Sequence, residues 1–154
     1  GILTNLITGI STVDVAVNDL VDNTQFILGT KVSSVGASQI VCDRDSTNTS
    51  ATTNQSVKFL GPTTAYTSTG TKSILVGGTF ANNTGSSVNL TVTVYDSSVT
   101  TEVGLAANIP VPNGSSFVIS DTGKTVLESS DEIRVYCDSA NAIDATLSIL
   151  TGVS

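Results

Sequence analysis

A chain of 154 residues, 39% hydrophobic but only 5% aromatic, with no Trp and no Met, fills its core with Val, Ile, Leu and Ala and has the length of one domain. It contains no His, which excludes Ser-His-Asp and Cys-His catalysis and any Cys/His zinc site. The net charge is −7, and the six basic residues, Lys31, Arg44, Lys58, Lys72, Lys124 and Arg134, are spread along the chain. Without a basic footprint to displace counterions, nucleic acid is not an expected partner, and neither is an anionic membrane surface.

Val and Thr favour strands, and Asn, Gly and Ser favour turns, so the composition predicts an all-β fold. From the N-terminus, Ile2, Leu3, Leu6, Ile7 and Ile10 have the spacing of a short helix or of an arm that docks onto a neighbour. Val13, Val15 and Val17 suggest a short strand, 18–24 a turn, and 25–31 and 39–42 further strand-like runs. Residues 1–44 therefore read as an arm with a partial sheet. Residues 45–55, within the polar run from Asp43 to Gln55, read as a surface loop.

From Ser56 onward the pattern is regular. The predicted strands are 56–60, 72–80, 87–95, 102–110, 115–120, 124–128, 132–137 and 144–150. Gly61-Pro62, Asn82 to Gly85, Asp96-Ser97-Ser98, Pro112-Asn113-Gly114, Asp121-Thr122-Gly123, Ser129-Ser130-Asp131 and Asp138 to Asn141 separate them. Short strands at this spacing predict an antiparallel β-sandwich, jelly-roll-like, over 56–154. The clearest stretch is Ser73–Asp96, read as a hairpin. Val88, Leu90, Val92 and Val94 face inward, and Asn89, Thr91, Thr93 and Tyr95 face outward.

Chemical motifs are sparse. Glycines punctuate turns and form neither a dinucleotide nor a phosphate loop. Asp131/Glu132 face opposite ways and make a poor acid/base pair. Asp43 and Asp45 open a D-x-D-x-T run faintly like a calcium loop, but the Gly and the terminal Glu are missing. No cofactor is expected. Cys42 and Cys137 are the only cysteines; two buried free thiols are expected, with a disulfide as the alternative. Five N-x-S/T triplets, at Asn48, Asn54, Asn82, Asn89 and Asn113, follow from composition. The N-terminus shows no signal-peptide pattern, and no stretch approaches a membrane span. Tyr95, Arg134 and Tyr136 fall on the polar faces of their strands and form a candidate contact patch, since Tyr and Arg anchor interfaces.

The segment from Lys58 to the C-terminus resembles small virion structural proteins of tailed bacteriophages, especially marine ones. The stretches that carry the likeness are TKSILVGGTFANNTG, VNLTVTVYD, IPVPNGSSFVI and KTVLESSDEIRVYCDSANAIDATLSIL, in that order. Within them stand the turn Pro112-Asn113-Gly114-Ser115 and the step Leu127-Glu128-Ser129-Ser130-Asp131. The resemblance implies a non-enzymatic assembly module of the virion, put together in the host cytoplasm, with capsid decoration as the leading expectation. A neck, tail or head-fibre position is the alternative. A carbohydrate-binding or adhesin module is a reading of a different class. The implied partners are other virion proteins, the major capsid protein or neck and tail proteins, and further copies of the chain, for instance as a trimer. The arm residues Ile2, Leu3, Leu6, Ile7 and Ile10, with Tyr95, Arg134 and Tyr136, are the expected assembly contacts.

Overall fold

A computed structural model describes residues 4–48, 52–120 and 124–153. The described elements are all strands, and the chain divides into two compact units, Gly1–Pro62 and Thr63–Ser154.

The first unit holds β1 (Leu6–Thr8), β2 (Leu20–Asp22), β3 (Val32–Val35), β4 (Gln39–Cys42) and β5 (Lys58–Leu60). β1, β4 and β3 form an antiparallel sheet in that order, and β2 pairs with β5. Alternation along β4 buries Ile40 and Cys42, which meet Val21 and Val32. Ile7, Ile10, Phe26, Val57 and Phe59 close around them.

This corrects the division drawn from sequence. Among the described residues, Ile7, Ile10, Val21, Val32, Ile40 and Cys42 share a core with Val57 and Phe59, so residues 4–42 pack together with β5. β5, expected to open the sandwich, belongs to the first unit, and the boundary falls at Pro62. Leu6 to Thr8 is a strand, in register with Gln39 to Val41, and not a helix. Ile2 and Leu3 lie outside the described residues, as does the predicted turn at 121–123. The strands expected at 13–17 and 25–31 are turns and loop, with Asp14 (φ 63°), Asn18 (φ 76°) and Gly29 (φ 83°) in left-handed conformation. The expected turn at 18–24 contains β2. Nor is the polar loop wholly superficial. Ser46 is buried and donates its N–H to the Thr4 carbonyl at 2.9 Å, and the Thr47 N–H reaches the Gln25 carbonyl at 2.7 Å.

The second unit is a β-sandwich built from β6 (Thr63–Thr67), β7 (Lys72–Asn82), β8 (Val88–Asp96), β9 (Thr101–Val111), β10 (Ser116–Ile119), β11 (Thr125–Glu128), β12 (Glu132–Cys137) and β13 (Ile143–Thr151). One sheet has the order β6-β12-β8-β9. In the other, β7 is central, with β13 along one side and β10 and β11 end to end along the other. Leu75, Phe80 and Leu127 from the second sheet meet Val88, Leu90, Val92, Val111 and Ile133 from the first. The Phe80 and Phe117 rings lie 6.3 Å apart. On β7, Gly78 leaves the space in which Leu147 lies; a Cβ there would sit 2.8 Å from its Cδ2. The jelly-roll winding that the sequence also allowed is not established by this strand order.

The predicted β7–β8 hairpin does not form. β7 and β8 lie in different sheets, and their link is an arch. Asn82 pins it: its side-chain amide donates to the carbonyls of Ser86 (2.7 Å) and Val111 (2.9 Å), and its oxygen accepts from the Thr84 N–H (2.8 Å). The connection is also longer than the two-residue loop that tight hairpins prefer. The inward valines do lie between the two sheets, as their alternation predicts.

Candidate functional site

The densest set of polar side chains sits on the outer face of the β6-β12-β8-β9 sheet. In β12, Ile133 and Val135 turn into the core, so Glu132, Arg134 and Tyr136 turn outward. Register supplies their neighbours. Glu132 lies opposite Tyr95 on β8, and Tyr95 opposite Glu102 on β9. Arg134 lies opposite Thr93, with Thr64 of β6 on its other side. The four-residue turn between β8 and β9 sets the register that brings Glu102 in. There Asp96 accepts from the Ser98 hydroxyl (2.7 Å) and the Ser98 N–H (2.9 Å), bonds that hold its carboxyl below the usual range.

Glu102 is the hub. It accepts from the Arg134 guanidinium (2.7 Å), the Tyr136 hydroxyl (2.9 and 3.0 Å to its two oxygens) and the Thr93 hydroxyl (3.1 Å). Arg134 donates its Nε–H to Glu132 at 2.7 Å, and the Thr64 hydroxyl donates to the same carboxylate at 3.1 Å. The guanidinium carbon stands 3.7 Å from the centre of the Tyr95 ring, a cation–π contact. Burial works against the charge on Arg134, but hydrogen bonds and charge from Glu132 and Glu102 outweigh it and hold its pKa above the ordinary arginine value.

Sequence reasoning placed Tyr95, Arg134 and Tyr136 on one polar face, and the structure brings them together there. It corrects the exposure of Tyr136, which is only 1% accessible, because its hydroxyl is turned onto Glu102. The side chains of Glu102 and Arg134 are 7% and 16% accessible. Glu102 was missed. Its signal was positional: once Ser97 to Thr100 is taken as a tight turn, Glu102 falls beside Tyr95. These bonds link Thr64, Thr93, Glu102, Glu132, Arg134 and Tyr136 to one another, so the cluster works as a clamp across four strands.

Asp131 plays a comparable part at one end of the sandwich. It is 5% accessible and accepts from the Ser97 N–H (3.0 Å), the Ser97 hydroxyl (3.2 Å) and the Glu128 N–H (2.8 Å). It ties the β8–β9 turn to the step into β12. Asp43 accepts from the Lys31 N–H at 2.8 Å. Among the described residues, no three acidic or thiol side chains come together as a metal site. Both cysteines are free; Cys42 is buried and Cys137 half-buried. Burial, with Asp43 adding to it, pushes the Cys42 thiol up to about 11. Burial, with Asp138 adding to it, also raises Cys137, although backbone hydrogen bonds oppose the shift.

Of the predicted arm contacts, Leu6 is exposed, while Ile7 and Ile10 pack on the first core. Ile10 also lines an open pocket of about 490 Å3 in the first unit, with Val13, Asp14, Val15, Gln55 and Phe59.

Val99 and Val103 are individually the most exposed apolar residues of the sandwich, but exposed apolar side chains line up in register on the other sheet. There Val126, Ile74 and Leu150 form one cross-strand row, and Val118, Thr79 and Thr146 another. Val126, Leu150 and Val118 are 54%, 55% and 55% accessible. Charged residues on these strands, Lys72, Glu128 and Asp144, stand near strand ends. Compared with known protein families, with curated proteins and with solved structures, the chain matches none.

Proposed function

We propose that this protein is a non-enzymatic structural component of a tailed-phage virion, acting as a capsid decoration protein. The observation that carries the reading is the apolar cross-strand row Val126, Ile74 and Leu150, exposed on the outer face of the β13-β7-β10/β11 sheet near one end. A monomer gains nothing by wetting such a row, whereas a neighbouring subunit laid on it removes apolar surface from water at about 25 cal/mol per Å2. The resemblance of Lys58 to the C-terminus to small virion proteins supports the same reading, and for a decoration protein the neighbour is the major capsid protein. Binding only the assembled lattice, the protein stabilises that lattice by mass action.

The test is the heat resistance of capsids that lack the protein. Adding it raises the temperature at which they come apart. The double variant Val126→Lys, Leu150→Lys, with an unchanged circular dichroism spectrum, gives no rise. Equal protection by the variant contradicts the assigned face. A copy number of about six or twelve per particle instead of hundreds would move the protein to the neck or tail.

A further inference from the structure

We propose that the free edge of β13 pairs antiparallel with β13 of a second copy, joining two sandwiches through one continuous sheet. A strand edge is a row of unpaired N–H and C=O groups, and sheets that end at a free surface blunt it with short strands, bulges, Pro or charge. Three of the four edges of this sandwich are blunted. β6 is five residues long, follows Pro62 and shifts register against β12. β9 shifts register twice against β8, carries Pro110 and holds Asn108 at φ 51°. The edge formed by β10 and β11 is broken between Ile119 and Thr125.

β13 is neither short nor bulged and has no Pro, and its single charge, Asp144, stands next to its N-terminal end. It runs unbroken for nine residues, IDATLSILT, with no Pro, Gly, Lys or Arg. It pairs with β7 on one side and, among the described residues, with no strand on the other. The one irregularity of that pairing lies in β7, where Val76 is the extra residue between the partners of Ser148 and Ile149, so β13 itself stays regular.

The strand is also compatible with itself. A two-fold axis through Leu147 pairs all nine residues and keeps both cores on the same side of the joined sheet. Thr146 then faces Ser148 of the other copy, and Asp144 faces Leu150. The two Asp144 carboxylates, the only charges on the strand, end about 20 Å apart at the strand rise of 3.3–3.4 Å per residue. The row that contains Leu150 continues across the axis into Asp144 and Ala81 of the second copy, and the row of Thr146 into its Ser148. The contact needs no other virion protein, so it stands or falls separately from the decoration role.

Sedimentation of the purified full-length chain over a range of concentrations tests it. The expected species are monomer and dimer in reversible exchange. Thr146→Lys with Ser148→Lys sets lysine against lysine twice across the axis and weakens the dimer by about 30-fold. Thr146→Glu with Ser148→Glu weakens it likewise, and an equal mixture of the two double variants restores a heterodimer. Amide exchange in wild-type residues 143–151 slows as concentration rises, a readout that needs no variant. A monomer at every concentration, a trimer, a dimer that the lysine pair leaves intact, or amide exchange independent of concentration would each overturn the proposal.

Discussion

At the scale of single residues, the sandwich depends on carboxylates whose partners are distant in sequence. Glu102 meets Arg134 and Tyr136 across separations of 32 and 34 residues. Removing it leaves a half-paired guanidinium and two buried hydroxyls without their acceptor. Glu102→Ala is expected to cost about 3 kcal/mol in urea unfolding, against about 1 kcal/mol for Tyr136→Phe, which removes one hydrogen bond and leaves the ion pair. Equal losses would place the stabilisation in packing and not in the clamp. Alternation in sequence gave the side of the strand on which Tyr136 lies. It did not give its burial, which depends on a carboxylate from another strand. Cys42 makes a second residue-scale prediction. Its folded-state pKa of about 11 lies above the ordinary thiol value of 9.0, so the neutral form is favoured in the native protein. The stability linked to it is whole below about pH 9 and is lost as pH rises toward 11. Native protein at pH 8 should react slowly with a thiol reagent at Cys42, and Cys42→Ala should flatten the loss of stability between pH 8 and 10.5.

At the scale of elements, the strands of the second unit were legible because their apolar residues alternate and Gly, Asn, Pro or Ser clusters bound them. Ser87–Tyr95, Glu132–Cys137 and Asp144–Leu150 were placed to within a residue or so by that pattern. β6 was not, because Thr63 to Thr67 is mostly exposed and carries no apolar alternation. Pairing was less legible than existence. β7 and β8 read as a hairpin because two strong strands flank a turn cluster, yet Asn82 closes that cluster as an arch between sheets. In the first unit the strands have three or four residues, too few for a period to declare itself. β1 illustrates the consequence. Its backbone pairs with β4, and Ile7 enters the core, so deleting residues 1–12 should unravel the first unit and not merely remove a docking arm. Amide exchange should then rise across residues 20–60 while the core of β7, β8 and β12 keeps its protection. Retained protection across 20–60 would show that β1 is dispensable.

At the scale of the whole molecule, the two faces of the sandwich differ in kind. One is polar and engaged with itself around Glu102, and the other presents Val118, Val126 and Leu150 beside an unblunted strand. Composition foreshadowed an all-β chain poor in charge, but the apolar outer row could not be read from any single strand. It exists only through the register that sets Val126 and Leu150 on either side of Ile74. The decoration role proposed for this face is tested most directly by electron cryo-microscopy of the phage particle to which the protein is proposed to belong. The account predicts hundreds of copies at symmetric positions on the head, each with the β13-β7-β10/β11 face against a capsid subunit. A virion that lacks the protein, or one that holds it with this face bare to solvent, would contradict the account.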